Sequence, residues 1–156
     1  TGLNRKELGD GLKKLKTAVT LVKGKAQSPA ETKLSNGYSE VAQIYQDSAD
    51  LWDAELRNLQ LEPIVESRID ALMVGANLDK ASKCGDFKIL MIEGIPLKSY
   101  YEDNPQSMGI DGLIARYSLP VKDYEEHGWK YVPKGSAKVI WVAAAKKAEE
   151  IERAAK

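Results

Sequence analysis

Eight residues between positions 34 and 59, Leu34, Tyr38, Val41, Tyr45, Ser48, Trp52, Glu55 and Leu59, follow one another at alternating steps of 4 and 3. That spacing keeps to one side of an α-helix over its whole length and is incompatible with the two-residue period of a strand. Leu51 and Leu56 widen the stripe. The start is marked as well. Ser28-Pro29-Ala30-Glu31 has the form of a capping box, with Ser28 as the cap, Pro29 in the first helical position and Glu31 reaching back to the cap amide. A helix from Ser28 to Glu62 would measure about 50 Å at ~1.5 Å per residue. A single helix of that length needs partners along its stripe, so it constrains the chain to a helical bundle or coiled coil.

A partner precedes it. Over residues 4–23, Leu8, Leu12, Leu15, Val19 and Val22 again alternate steps of 4 and 3, with lysines between them. Gly9 and Gly11 lower the intrinsic propensity of its early turns, and Gly24 is the expected stop. Pro63 opens a third expected helix over residues 63–82, with Val65, Ile69, Leu72 and Ala76 inward and Gly85 as its stop. The second half has a different texture. Residues 87–92 (Phe-Lys-Ile-Leu-Met-Ile) form a short apolar run that reads as a buried strand or as a helical turn. Gly94, Pro96, Asn104, Pro105 and Gly109 predict a loop. Short helices are expected over 110–117 and 121–127, the latter stopped by Gly128, then a turn at 132–135 and a last helix over 136–156. The expected fold is mainly α, with a long-helix bundle region over residues 1–85 and a loop-rich region with short helices and a C-terminal helix over 86–156, packed on the same core.

Composition narrows the function classes. Lys+Arg and Asp+Glu both number 23, so no global field favours a polyanionic partner. One cysteine, Cys84, excludes an internal disulfide framework and points to an intracellular, cytoplasmic setting. One histidine, His127, excludes a His-rich metal centre. No run of eighteen apolar residues would span a membrane and no secretory-type stretch opens the chain, although Thr1 is not a start methionine and leaves an upstream segment open.

Chemistry-bearing residues are few. Cys84 and His127 are the cheapest nucleophile–base pair, yet neither lies in a nucleophile motif; a buried thiol and a surface histidine beside Glu125 and Glu126 is the plainer reading. Asp47, Asp50, Asp53 and Glu55 are spaced as a solvated helical face, without the Glu-x-x-His partners of a di-iron bundle. Gly109-Ile110-Asp111-Gly112 lacks the lysine and the strand–glycine–helix setting of a phosphate loop. Residues 110–127 have the outline of a helix-turn-helix, but Asp123, Glu125 and Glu126 on the second expected helix would face the DNA backbone, with Lys122 alone in favour.

Charge is uneven along the chain. Arg5, Lys6, Lys13, Lys14, Lys16, Lys23 and Lys25 crowd the first segment, and Glu31, Glu40, Asp47, Asp50, Asp53, Glu55 and Glu62 the second. Pairing within the bundle or a bipolar surface for assembly follows from such blocks. Lys13, Lys14, Lys16, Lys23 and Lys25 are the candidate contacts to an anionic surface, membrane or nucleic acid, with an ordinary solvated helix as the favoured reading. Tyr100, Tyr101, Trp129 and Tyr131, in loop-like segments, are the candidate aromatic contacts to a partner.

Gly37, the triplet Asp53-Ala54-Glu55, Pro63 and Asp86-Phe87 slightly resemble the central part of a BAR domain of endophilin type, over roughly a third of the chain. The resemblance implies a helical dimer with basic faces for curved membranes; the Gly-to-Glu and Pro-to-Asp spacings depart from the pattern, and the stretch after Gly94 has no place in it. From the residues themselves the expectation is a non-catalytic helical interaction or assembly subunit, self-associating or bound to another protein, with no cofactor. A binder of anionic surfaces through the first helix is the alternative.

Overall fold

The structure, a computed structural model, describes residues 4–156 and is mainly α-helical. In chain order the elements are α1 (Arg5–Lys25), α2 (Pro29–Gln60), α3 (Glu62–Val74), α4 (Leu78–Glu93), β1 (Gly94–Pro96), α5 (Asp111–Tyr117), β2 (Lys122–Tyr124), β3 (Trp129–Pro133) and α6 (Ala137–Ala154). The backbone sorts into two compact units, Thr1–Trp52 with Ala137–Lys156, and Asp53–Ser136. This division falls inside α2 and just before α6.

In the first unit, both long helices begin with doubly satisfied caps. Asn4 accepts the Glu7 amide and Glu7 returns to the Asn4 amide. Ser28 and Glu31 make the exchange read from the sequence, at 3.1 and 3.0 Å. Those two backbone N–H groups from Gln27 and Ser28 hold the Glu31 carboxyl below its ordinary pKa. Gly24 does not stop α1, which continues to Lys25: a solvent-exposed glycine costs a helix about 1 kcal/mol but does not oblige it to end. Leu8 and Leu12 are buried with Ala49, against Tyr45 and Trp52, and Lys16 donates to Gln46. Low numbers in α1 meet high numbers in α2, so the two run antiparallel. The same holds for α6: Ser48 meets Trp141, Glu40 pairs with Lys147, and a Cβ at Gly37 would lie 2.9 Å from Ile151. α2 therefore has α1 and α6 as two antiparallel neighbours. Trp52 and Trp141, with centroids 6.1 Å apart, fill space between α2 and α6.

The second unit corrects several expectations. The third helix does not reach residue 82. It ends at Val74, and Gly75-Ala76-Asn77 turn the chain into α4. The turn is a Schellman closure: the amides of Ala76 and Asn77 bond back to the carbonyls of Met73 and Leu72, and Ala76 takes a φ of 54°. Ala76 is consequently exposed, not inward. Gly85 lies within α4 and stops nothing, and residues 87–92 are its last turns, the helical of the two readings and not the strand. Phe87, Leu90 and Met91 belong to its core-facing side together with Ala81 and Cys84, so the apolar run is one helical face whose period the short window hides. The strand comes just after, where Gly94 takes an extended φ of 173°.

The expected helix over 121–127 is a β-hairpin. β2 and β3 pair antiparallel from Lys122↔Tyr131 to Tyr124↔Trp129, and β1 pairs with β3 from Gly94↔Pro133 to Pro96↔Tyr131, in the sheet order β1-β3-β2. Gly128, at a φ of 63°, closes the turn with its amide on the Tyr124 carbonyl. Tyr124, Trp129 and Tyr131 around it are strand-favouring residues. The helix-turn-helix outline therefore has no second helix. Pro133 ends β3, so the expected turn at 132–135 begins two residues late. The sheet has no counterpart in the helical dimer that a BAR likeness implies. α4, β1 and the hairpin enclose a core of Val65, Cys84, Phe87, Leu90, Met91 and Trp129.

Candidate functional site

The five candidate lysines, Lys13, Lys14, Lys16, Lys23 and Lys25, are all exposed on α1. At ~100° per residue they spread over an arc of roughly 200°, so no flat surface can meet all five at once. None of them forms an ion pair among the described residues; Lys16 reaches the Gln46 amide oxygen at 2.6 Å. Toward its C-terminus α1 also loses its cover, with Leu21 and Val22 more than half exposed.

The four candidate partner-contact aromatics are placed in the second unit's core. Trp129 is buried, and Tyr100, Tyr101 and Tyr131 are half-buried against it and its neighbours. Tyr100 stacks on Trp129 at 5.1 Å between centroids, Phe87 meets Trp129 edge-on at 6.2 Å, and Tyr101 tilts over Phe87 at 5.2 Å. The Tyr100 hydroxyl accepts the Lys130 amide. Such rings close a core around one phenylalanine.

The carboxylates of α2 divide by environment. Gln43 donates to buried Asp47 at 3.0 Å and Gln46 to exposed Asp50 at 2.8 Å, each from one turn earlier. Glu55 is half-buried; burial pushes its carboxyl above the ordinary value, although the Gly135 amide and Lys134 pull it back. One of its oxygens is buried without a hydrogen-bond partner.

Cys84 and His127 do not form a dyad. The Cys84 thiol is buried and points to the Tyr101 carbonyl at 3.6 Å. His127, at the hairpin turn, places Nε2 2.7 Å from an oxygen of Asp86 on α4. Its ring lies against Trp129, centroids 4.1 Å apart, and parallel to Tyr124 at 6.4 Å.

The feature that the sequence reading missed is a second apolar side on each helix of the α3–α4 pair. On α3, Ile64, Ser67, Ala71 and Val74 recur at steps of 3, 4 and 3 on the side away from the core residues Val65, Ile69 and Leu72; Ile64 is 53% exposed and Val74 91%. On α4, Leu78, Ser82, Gly85, Ile89 and Ile92 recur at 4, 3, 4 and 3, with Leu78 61%, Ile89 50% and Ile92 61% exposed. Space beside Gly85 is open. Asp79, Asp86 and Glu93, at heptad spacing, flank this stripe. The signal lay in the apolar residues of α3, which recur on a second side besides the inward one, with Glu66, Arg68 and Asp70 between them. With residues 87–92 open to a strand or a helical turn, the corresponding stripe of α4 has no visible period.

Among the described residues no helix is long and apolar enough to cross a membrane. The chain matches no family model, and no curated protein or solved structure matches it.

Proposed function

We propose that this chain is a non-catalytic interaction or assembly subunit that offers the outer stripes of α3 and α4 to a protein partner. The reading is carried by the exposure of Ile64, Val74, Leu78, Ile89 and Ile92 at helical spacing, since contiguous apolar patches on a protein surface mark contact sites. Burying each of these side chains in an interface would contribute about 1–2 kcal/mol before the cost of association. Helix-on-helix contact fits the pattern, with small Ser82 and Gly85 between the large residues of α4.

Sedimentation equilibrium over a hundredfold concentration range tests self-association, and affinity capture followed by cross-linking tests a different partner. The expected result is a complex that Ile89→Asp and Val74→Asp dissolve while the circular dichroism of the chain is unchanged. A monomer at every concentration that captures no partner, or a complex indifferent to both substitutions, overturns the reading.

A further inference from the structure

The β2–β3 turn and α4 bring together three donor atoms that the interaction surface does not use. A ring nitrogen of His127 and one carboxylate oxygen each of Asp86 and Glu126 lie within 4.8 Å of one another. We propose that Asp86, Glu126 and His127 bind a divalent transition cation of the zinc class.

Distance comes first. Donors around a tetrahedral ion with bonds of about 2.0–2.2 Å stand about 3.4 Å apart. Nε2 and the Asp86 oxygen are already at 2.7 Å, and Glu126, exposed at a turn, has the freedom to move in by the remaining ångström or so. Positioning is next. The His127 and Asp86 side chains are only 28% and 25% exposed. Asp86 projects from α4 beside buried Phe87, and the imidazole is set by its stack on buried Trp129, so two of the three ligands rest on fixed elements. Charge is the third argument. Two carboxylates beside one imidazole offer negative charge that a divalent ion neutralises. Glu126 has no hydrogen bond or ion pair among the described residues, and Glu93 adds to the same field: after burial, Glu126, Asp86 and Glu93 are what push the Tyr124 hydroxyl up. Lys83 lies over the Trp129 ring at 6.0 Å. One imidazole with two carboxylates favours zinc, cobalt or nickel over magnesium or calcium, which prefer oxygen alone.

A hydrogen bond between His127 and Asp86 accounts for those two residues without a metal, so Glu126 decides the matter. The test titrates the full chain with Zn2+ in a chelator-competition assay, and with Co2+ while its visible absorption and the imidazole proton resonances are followed. With one histidine in the sequence, those resonances report on His127 alone. One ion per chain is expected, with the resonances displaced by Zn2+ and a d–d absorption band with Co2+. Glu126→Gln, at an exposed residue without hydrogen-bond partners, is expected to weaken Zn2+ by more than ~10-fold, the low end of what outer-sphere changes typically cost. His127→Ala is expected to abolish the cobalt band. Absence of Zn2+ binding, an affinity unchanged by Glu126→Gln, or equal competition by Mg2+ or Ca2+ overturns the proposal.

Discussion

The two units use opposite means to reach a packed interior. In the first, α1, the start of α2 and α6 meet along stripes, and each stripe residue does a similar job. In the second, short elements surround one phenylalanine, and single atoms decide whether they fit. Gly94 shows the difference. A Cβ there would lie 2.1 Å from the Val132 carbonyl oxygen, across the β1–β3 pair. Asn58, on the last turns of α2, donates to the carbonyls of both Met91 and Gly94, and so holds the end of α4 at the start of β1. Residues of this kind have no period. The lesson is that a stripe spreads its energy over many residues, whereas a junction concentrates it in a few.

Substitutions can break that contrast. Gly94→Ala carries the largest expected effect, about 3 kcal/mol or more in urea unfolding, because backbone rather than a flexible side chain must give way. A loss under ~1 kcal/mol would mean that β1 adjusts freely and that the junction is softer than its geometry. Leu12→Ala is expected to cost about 2–3 kcal/mol, since Leu12 is buried, while Val22→Ala on the same stripe is expected to cost less than ~0.5 kcal/mol. Equal losses would show that the stripe is covered to its end. Asn58→Ala should cost about 2 kcal/mol, from two buried carbonyls left without a donor. Thermal melts of each variant beside the parent chain give the ranking.

The smallest expected effect depends on pH. The Glu55 carboxyl is raised in the folded chain, chiefly by burial, so the folded state holds its proton more tightly than the unfolded one. Stability from this group is therefore fullest below the ordinary carboxylate range and falls as pH rises through the raised value. Glu55→Gln is expected to raise the melting temperature slightly at pH 7 and to leave it unchanged at pH 3. A melting temperature lowered equally at both would assign Glu55 a purely structural contact with Gly135.

What could be read from the residues alone follows the same contrast. The stripes of α1 and α2, the Ser28–Glu31 cap and the final helix are local and periodic, and all are present. The hairpin was not legible. Val121 to His127 carries no period strong enough to outweigh its charges, and the decisive partner of β2 is β3, beyond the turn. The break at Gly75 is legible only in part: Gly75 and Asn77 weaken the end of the expected helix, but the apolar positions of α3 continue smoothly toward Ala76 while the turn is made by backbone bonds. The aromatics Tyr100, Tyr101, Trp129 and Tyr131 suggest partner contacts because their segments look like loops, but they pack in the core around Phe87. His127 was visible as a lone histidine; that Asp86, forty-one positions earlier, lies beside it depends on the hairpin.

The turn between α3 and α4 carries one more consequence. Its backbone asks for glycine at the left-handed position, yet Ala76 stands there at a φ of 54°, while Gly75 occupies the preceding place at an ordinary φ of −77°. A Cβ at Gly75 would meet nothing closer than 3.6 Å. The two residues stand in the reverse of the order their conformations prefer. Exchanging them, Gly75→Ala with Ala76→Gly, would yield an isomer of identical composition and mass that is more stable by about 1 kcal/mol, a protein improved by permutation alone.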